Sequence, residues 1–328
     1  MKNIVGWLSV IFFFSVSIAF SGIVQVMPAS MGEQIVINAK WGNKSGEVGN
    51  IPVDPGDQIA GESINPIAID KDGNIYIGDS VNARIIKFNA KGEFVFEYKL
   101  PHKVHLIEDV FIDVKNRVYA LIDPAKLKIA IFNSGGTIES IIDVSNVGSL
   151  QKNKDGEVVL NKNIPFANAV KDRLYVNSDD TIIVKGSDLI KINKKGEVIS
   201  RVGPYVNSFF VDSSGVVYVV TASEGKGEPN IYDNNLKYLR KGWGKYGDIV
   251  KPEKSDSLGN NYGFGVSKEY RRNLLKYNSQ SNACYALPIT RDRLEWESWA
   301  VSNEGNIYFT KSSGDSFKVI KLSSTARK

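Results

Sequence analysis

The chain has 328 residues, with 41 lysines and arginines against 36 aspartates and glutamates, for a formal net charge of +5. That excess is small and its signs alternate along the chain, whereas a nucleic-acid binder concentrates basic residues on one face, so no nucleic-acid partner is expected. A single cysteine, Cys284, excludes an internal disulfide, and two histidines leave little material for a catalytic triad or a structural zinc site.

Between Lys2 and Glu33 there is no charged residue, and Ile4 to Phe20 is almost wholly apolar. A short basic start followed by such a run is the pattern of an export signal, with Ala19 and Ser21 as the small residues of a cleavage site. The stretch through Val26 is also long enough to stay in a bilayer. Residues 1–21 are therefore expected to be a signal peptide or an N-terminal membrane anchor. With Lys2 on the cytoplasmic side, residues 32–328 are delivered to the periplasm or the extracellular space.

The first strand-like segment, Gly32 to Trp41 (GEQIVINAKW), has the look of a strand that has lost its partners. The fullest unit follows, from Asn65 to Phe94, as NPIAIDKDGNIYIGDSVNARIIKFNAKGEF. Ile67 to Ile69 alternates as a strand and Asp70 to Asn74 is a turn. Ile75 to Ile77 is a second strand, Asp79 to Ala83 a polar connection and Arg84 to Phe88 a third strand. Lys91-Gly92 then turns the chain into a fourth strand ending near Tyr98.

Two markers repeat this unit along the chain. Third strands end on Asn89, Asn133, Asn193, Asp233, Asn278 and Ser323, and a period of about 45 residues is that of four-stranded propeller blades. Running ahead of them, Tyr76, Tyr119, Tyr175, Tyr218 and Tyr308 are read as second-strand residues, with a degenerate copy at Tyr262. Both markers count six. The predicted fold is all-β, a six-bladed β-propeller of four-stranded antiparallel blades. After Leu322 too little chain remains for a last outer strand, so Ile35 to Lys40 is expected to supply it by pairing with Phe317 to Leu322 and to close the ring.

The first unit resembles an NHL repeat. It carries the proline, the apolar inner strand, Asp-x-x-Gly-Asn, the Tyr-centred strand, Asp-Ser-x-Asn-x-Arg and the Ile-x-x-Phe strand of that family. Asp109, Asp113 and Phe132 keep the outline in the second unit, Asp212 and Gly215 in the fourth, and Gly305, Asn306 and Tyr308 in the sixth. The fifth has lost most of it. The resemblance implies a propeller that binds proteins, RNA or small molecules, with lyases and lactonases among its relatives, so it leaves function open.

Residues just before the inner strands of a propeller surround the mouth of the central channel. Alignment of the units on their turns puts Asn65, Glu108, Asn207 and Glu297 in equivalent places, with Asp109 and Asn168 adjacent. Such oxygens could hold a hard cation such as calcium through Glu108, Asn207 and Glu297, a ring similar in type to the metal site of gluconolactonase-like propellers. The plainer reading is that they cap the strands and hold channel waters. Trp296 and Trp299 flank Glu297, while Tyr205, Phe209 and Phe210 flank Asn207, and half of these aromatics must fill the space between blades. An insertion at Val147 to Lys162 should form a hairpin on the same face. His102 and His105 read as a solvated linker, Cys284 as a small buried hydrophobe, and the Asp79, Asn82 and Arg84 group as a structural tie to a neighbouring blade.

The expected function is that of an exported binding or interaction module, a monomer that takes a protein or small-molecule ligand at the channel mouth. The alternative is a metal-dependent hydrolase or lyase using the acidic ring. A purely structural envelope protein is the third reading. No catalytic residue can be named.

Overall fold

The computed structural model describes residues 26–28, 31–50, 65–101, 104, 106–123, 127–152, 154, 157–161, 173–221, 229–241, 250–265, 273–278, 283–290, 298–313 and 315–324. Strands β1 (Val26–Pro28) and β2 (Met31–Lys40) precede the first blade. Blade 1 comprises β3 (Ile67–Ile69), β4 (Ile75–Asp79), β5 (Arg84–Phe88) and β6 (Phe94–Lys99). Blade 2 comprises β7 (Ile107–Ile112), β8 (Val118–Ile122), β9 (Lys128–Phe132) and β10 (Ile138–Asp143). A separate hairpin, β11 (Ser149–Lys152) and β12 (Val158–Asn161), follows. Blade 3 is β13 (Arg173–Val176), β14 (Ile182–Lys185), β15 (Leu189–Ile192) and β16 (Val198–Val202). Blade 4 is β17 (Val206–Val211), β18 (Val217–Thr221), β19 (Asn230–Tyr232) and β20 (Tyr238–Lys241). Blade 5 is β21 (Val250–Ser255), β22 (Asn260–Gly265), β23 (Asn273–Asn278) and β24 (Ala283–Thr290). Blade 6 has β25 (Trp299–Val301), β26 (Ile307–Ser313) and β27 (Ser316–Ser324), and β2 completes it.

Packing explains the sequence pattern. Blades lie face against face, so a middle strand is covered on both sides and reads as a continuous apolar run, as β8 (VYALI) does with every residue buried. Outer strands are wetter: all four residues of β20 are exposed. The core is accordingly a ring of seams. Tyr76, Ile85 and Tyr98 of blade 1 meet Val110, Val118 and Ala130 of blade 2, and Tyr119 and Leu121 meet Leu174, Ile182 and Ile190 of blade 3. Ile37 and Phe317 of blade 6 pack with Ile75 and Ile86 of blade 1. Each such side chain removed from water contributes roughly 1.5–3 kcal/mol.

The predicted closure is present. β2 runs antiparallel to β27, with Ile35 opposite Ile320, Ile37 opposite Val319 and Lys40 opposite Ser316. β1 adds a parallel fifth strand to blade 5, with Val26 opposite Cys284.

The turns carry the repeated markers. In the first turn of blade 1, Asp70 accepts the Asp72 and Asn74 amides through one oxygen and the Tyr76 hydroxyl, at 3.1 Å, through the other. Asp113 with Tyr119, Asp212 with Tyr218 and Asp256 with Tyr262 repeat the tie. At the third-to-fourth strand turns Asn89, Asn193 and Asp233 each accept two backbone amides. Tyr175 departs from the expected marker: it lies on β13, the inner strand of blade 3, and Ile183 on β14 holds the second-strand place. The turn Asn177–Thr181, closed by the Asn177 side chain on Thr181, does not need a tyrosine hydroxyl.

Antiparallel blades alternate their connections between two faces. First-to-second and third-to-fourth strand turns share one face. The second-to-third connections and the links between blades share the other, which is the channel-mouth face.

Candidate functional site

Rigid loops frame the mouth. Asp79, Asn82 and Arg84 form the structural tie expected of them. The Arg84 guanidinium donates to Asp79 at 3.0 Å and Glu97 at 2.8 Å, and to the backbone oxygens of Asn43 and Glu47 in the link from blade 6. Asn82 adds a bond to the Gly42 oxygen. Blade 3 repeats the device with other residues: Arg201 donates to Asp188 at 2.7 Å and to the oxygens of Val147 and Gly148, while Asp188 also accepts the Leu150 amide. The β11–β12 hairpin is thereby anchored. His102, His105, Asn168, Trp296 and Glu297 lie outside the described residues.

The described members of the ring are not all ahead of their strands: Glu108 and Asn207 are the second residues of β7 and β17. Asn65 is buried two residues before β3. Glu108 and Asn207 sit at matching irregularities in the pairing of β7 and β17, Glu108 half-buried and Asn207 exposed. Of the flanking aromatics, Phe209, Phe210 and Trp299 are buried between blades and Tyr205 is 47% exposed in the link from blade 3 to blade 4. Cys284 is buried, and burial pushes its thiol up to about 11, as for an inert core residue.

The same alignment has two further positions, Asp172 before the blade 3 turn and Lys251 before the blade 5 turn. Lys251 belongs to β21, and Asp172 lies outside the described residues. The six aligned positions thus read Asn65, Glu108, Asp172, Asn207, Lys251 and Glu297 in the sequence. Counting the offset back from Asn177 and Asp256 would have revealed both positions, but the displaced Tyr175 marker hid the blade 3 turn.

The inner strands below the mouth hold a second group of charges that the sequence reading did not assemble. Asp109 accepts the Leu174 amide of the next inner strand at 3.1 Å and the Val110 amide at 3.0 Å. Burial pushes its carboxyl above the usual range, against the pull of the Lys254 ammonium, these two amides and the Arg173 guanidinium. Lys254 is pushed down, first by burial and then by Arg173, with Asp109 and Glu253 opposing. Its ammonium lies 5.9 Å from the centre of the Trp299 ring. Blades 2, 3 and 5 therefore bring Asp109, Arg173 and Lys254 together electrostatically at the channel. Among the described residues no three histidine, cysteine or acidic side chains gather as a metal site.

The chain resembles solved propellers in fold. A Bacteroides fragilis protein assigned as exported matches 92% of this chain and 99% of its own, at 12% identity and a TM-score of 0.50. A streptogramin B lyase matches 90% and 98%, at 9% identity and a TM-score of 0.49. A virginiamycin B lyase from Staphylococcus aureus, an inactive variant with quinupristin, matches 90% and 99%, at 12% identity and 0.48. No protein-family model matches the chain, and no curated protein matches it in sequence.

Proposed function

We propose that the chain is an exported binding module, a propeller of the NHL type, that receives a ligand bearing a carboxylate in its channel mouth. The leader-like residues 1–21 and the motif of blade 1 support the first two parts. The observation that carries the third is the Arg173 guanidinium, which meets Asp109 and Lys254 at the channel while Glu253 offsets Lys254. The burial that pushes the Asp109 carboxyl toward its neutral form leaves Arg173 with less negative charge beside it, and a partly buried charge is stable when it is paired. Arg173 cannot neutralise itself by losing a proton, whereas Lys254 can. The anionic group of the ligand is held at the level of Asp109, beside Arg173 and Lys254. The loops pinned by Arg84 and Arg201 supply a fixed rim, where recognition on a rigid scaffold usually resides.

The same cations weigh against calcium at this level of the channel, where each would repel it. The hydrolase or lyase reading therefore depends on the ring at the mouth, on Glu108, Asn207 and Glu297, with Asp172 as their equivalent in blade 3. Trp299 beneath Lys254 provides a reporter. Titration of the exported protein with small mono- and dicarboxylates should change its tryptophan fluorescence, and Arg173→Gln and Lys254→Gln should each weaken that response about tenfold or more. A wild type that ignores carboxylates, or variants that respond as it does, would overturn the reading. Stoichiometric calcium in the purified protein would favour the metal-dependent enzyme instead.

A further inference from the structure

A cavity of about 310 Å³ opens on the face opposite the mouth, among the short turns of blades 2, 3 and 4. Turns of this kind serve to reverse the chain and as a rule offer little specific surface. The displaced Tyr175 is the reason they do more. From the inner strand its ring meets Phe111 edge-on at 5.2 Å, and the two form an apolar wall of the cavity. Around that wall stand the hydroxyls of Ser178 and Ser213, both exposed residues, and the side chain of Asn234. The Asn234 side-chain oxygen is buried without a hydrogen-bond partner, so its amide gains a partner by turning toward the cavity to meet a donor.

Charge selects what can enter. Two carboxylates line the cavity, Asp113 and Asp180, and both are already neutralised. Asp113 accepts the Arg117 guanidinium at 2.6 Å. Asp180 is held by Lys115 at 2.9 Å, by Lys194 at 3.1 Å and by Arg117. A cationic ligand would find no free carboxylate. An anion would find no free cation either, since the lining contains no lysine or arginine among the described residues. What remains is an aromatic wall, hydroxyls and an unsatisfied amide oxygen in a space at the small end of ligand pockets.

We propose that this cavity binds a neutral polyhydroxylated molecule of about monosaccharide size, its carbon face against Tyr175 and Phe111 and a hydroxyl donated to Asn234. The site is separate from the channel mouth and does not depend on the carboxylate reading.

Three probes of one ring size test the charge argument: glucose, glucuronate and glucosamine, compared by saturation-transfer NMR and calorimetry on the exported protein. Glucose should bind at least tenfold more tightly than either charged analogue. Asn234→Ala should weaken it fivefold or more, and Ser178→Trp, which fills the opening from an exposed position, should abolish it with the melting temperature little changed. Arg173→Gln in the channel should leave it unaltered, so loss of one site is distinguishable from loss of the other. Equal or tighter binding of a charged analogue would overturn the proposal. So would absence of all three, or binding that survives both cavity variants.

Discussion

Aspartate and tyrosine six residues apart form the smallest recurring device of this protein. A tyrosine that fills a seam between blades buries its hydroxyl, which must find an acceptor, and the turn aspartate supplies one while its other oxygen holds the turn amides. The periodic tyrosines visible in the sequence are the trace of that requirement. Where the turn is closed differently, at Asn177, the tyrosine is free to move to the inner strand, and a marker based on residue type alone then misplaces it. Asp180, in the same turn, shows what local charge does to stability. Its carboxyl is held well below the usual range, chiefly by the hydrogen bond from Lys115, with Lys194 and Arg117 adding to it. A depressed folded value means stability that is present in full above the unfolded value near 3.9 and is lost as pH falls through the folded one. Asp180→Asn keeps the left-handed backbone at φ 66°, which asparagine tolerates. The variant should cost about 1 kcal/mol at pH 7, since its lysine partners are half exposed and screened. It should also lose stability less steeply than the parent between about pH 5 and pH 2. Urea unfolding across that range checks this, and parallel curves would remove Asp180 from the acid response.

At the scale of elements, the links between blades matter more than the blades. The link from blade 6 has bonds of its own, between Gly42 and Val48 and between Val48 and Lys40, and Arg84 and Arg201 tie the links to neighbouring strands through pairs of backbone oxygens. The blade 1 clamp was legible because Asp79, Asn82 and Arg84 stand within one repeat. The blade 3 clamp was not, because Asp188, Arg201 and the oxygens of Val147 and Gly148 are far apart in sequence and share no motif. The channel charges were hidden for the same reason: Asp109, Arg173 and Lys254 belong to three blades, and only ring closure brings them together. A planar fork cannot be replaced by a point charge. Arg84→Lys should therefore cost roughly 2–3 kcal/mol, because Asp79 is fully buried and one ammonium cannot satisfy four acceptors. The released link should become open to trypsin at the exposed Lys44. A variant as resistant as the parent would show that the link is held by other means.

For the whole molecule the decisive step is closure, since an unclosed sixth blade would leave the edge of β27 exposed and the seam with blade 1 half built. The sequence pointed to this through an outer-strand segment, Gly32 to Trp41, that stands ahead of the first unit. It could not show how closely the two ends of the ring touch. Gly92, in the blade 1 turn, has φ 84°, and a Cβ there would lie 1.6 Å from the Val36 oxygen of the closing strand. Gly215, in the blade 4 turn, has nearly the same backbone, φ 82°, but a Cβ there would meet nothing within 4 Å. The pair separates two costs that a glycine substitution normally mixes. Gly215→Ala should lose about 1–2 kcal/mol, the strain of a left-handed residue with a side chain. Gly92→Ala should lose that amount and about 2 kcal/mol or more besides, because it must push the closing strand off its seam, and amide exchange of Val36 and Ile37 should accelerate only in that variant. If the two alanines prove equally costly in chemical denaturation, the contact between blade 1 and the closing strand does not hold the ring shut, and closure must rest on the β2–β27 pairing alone.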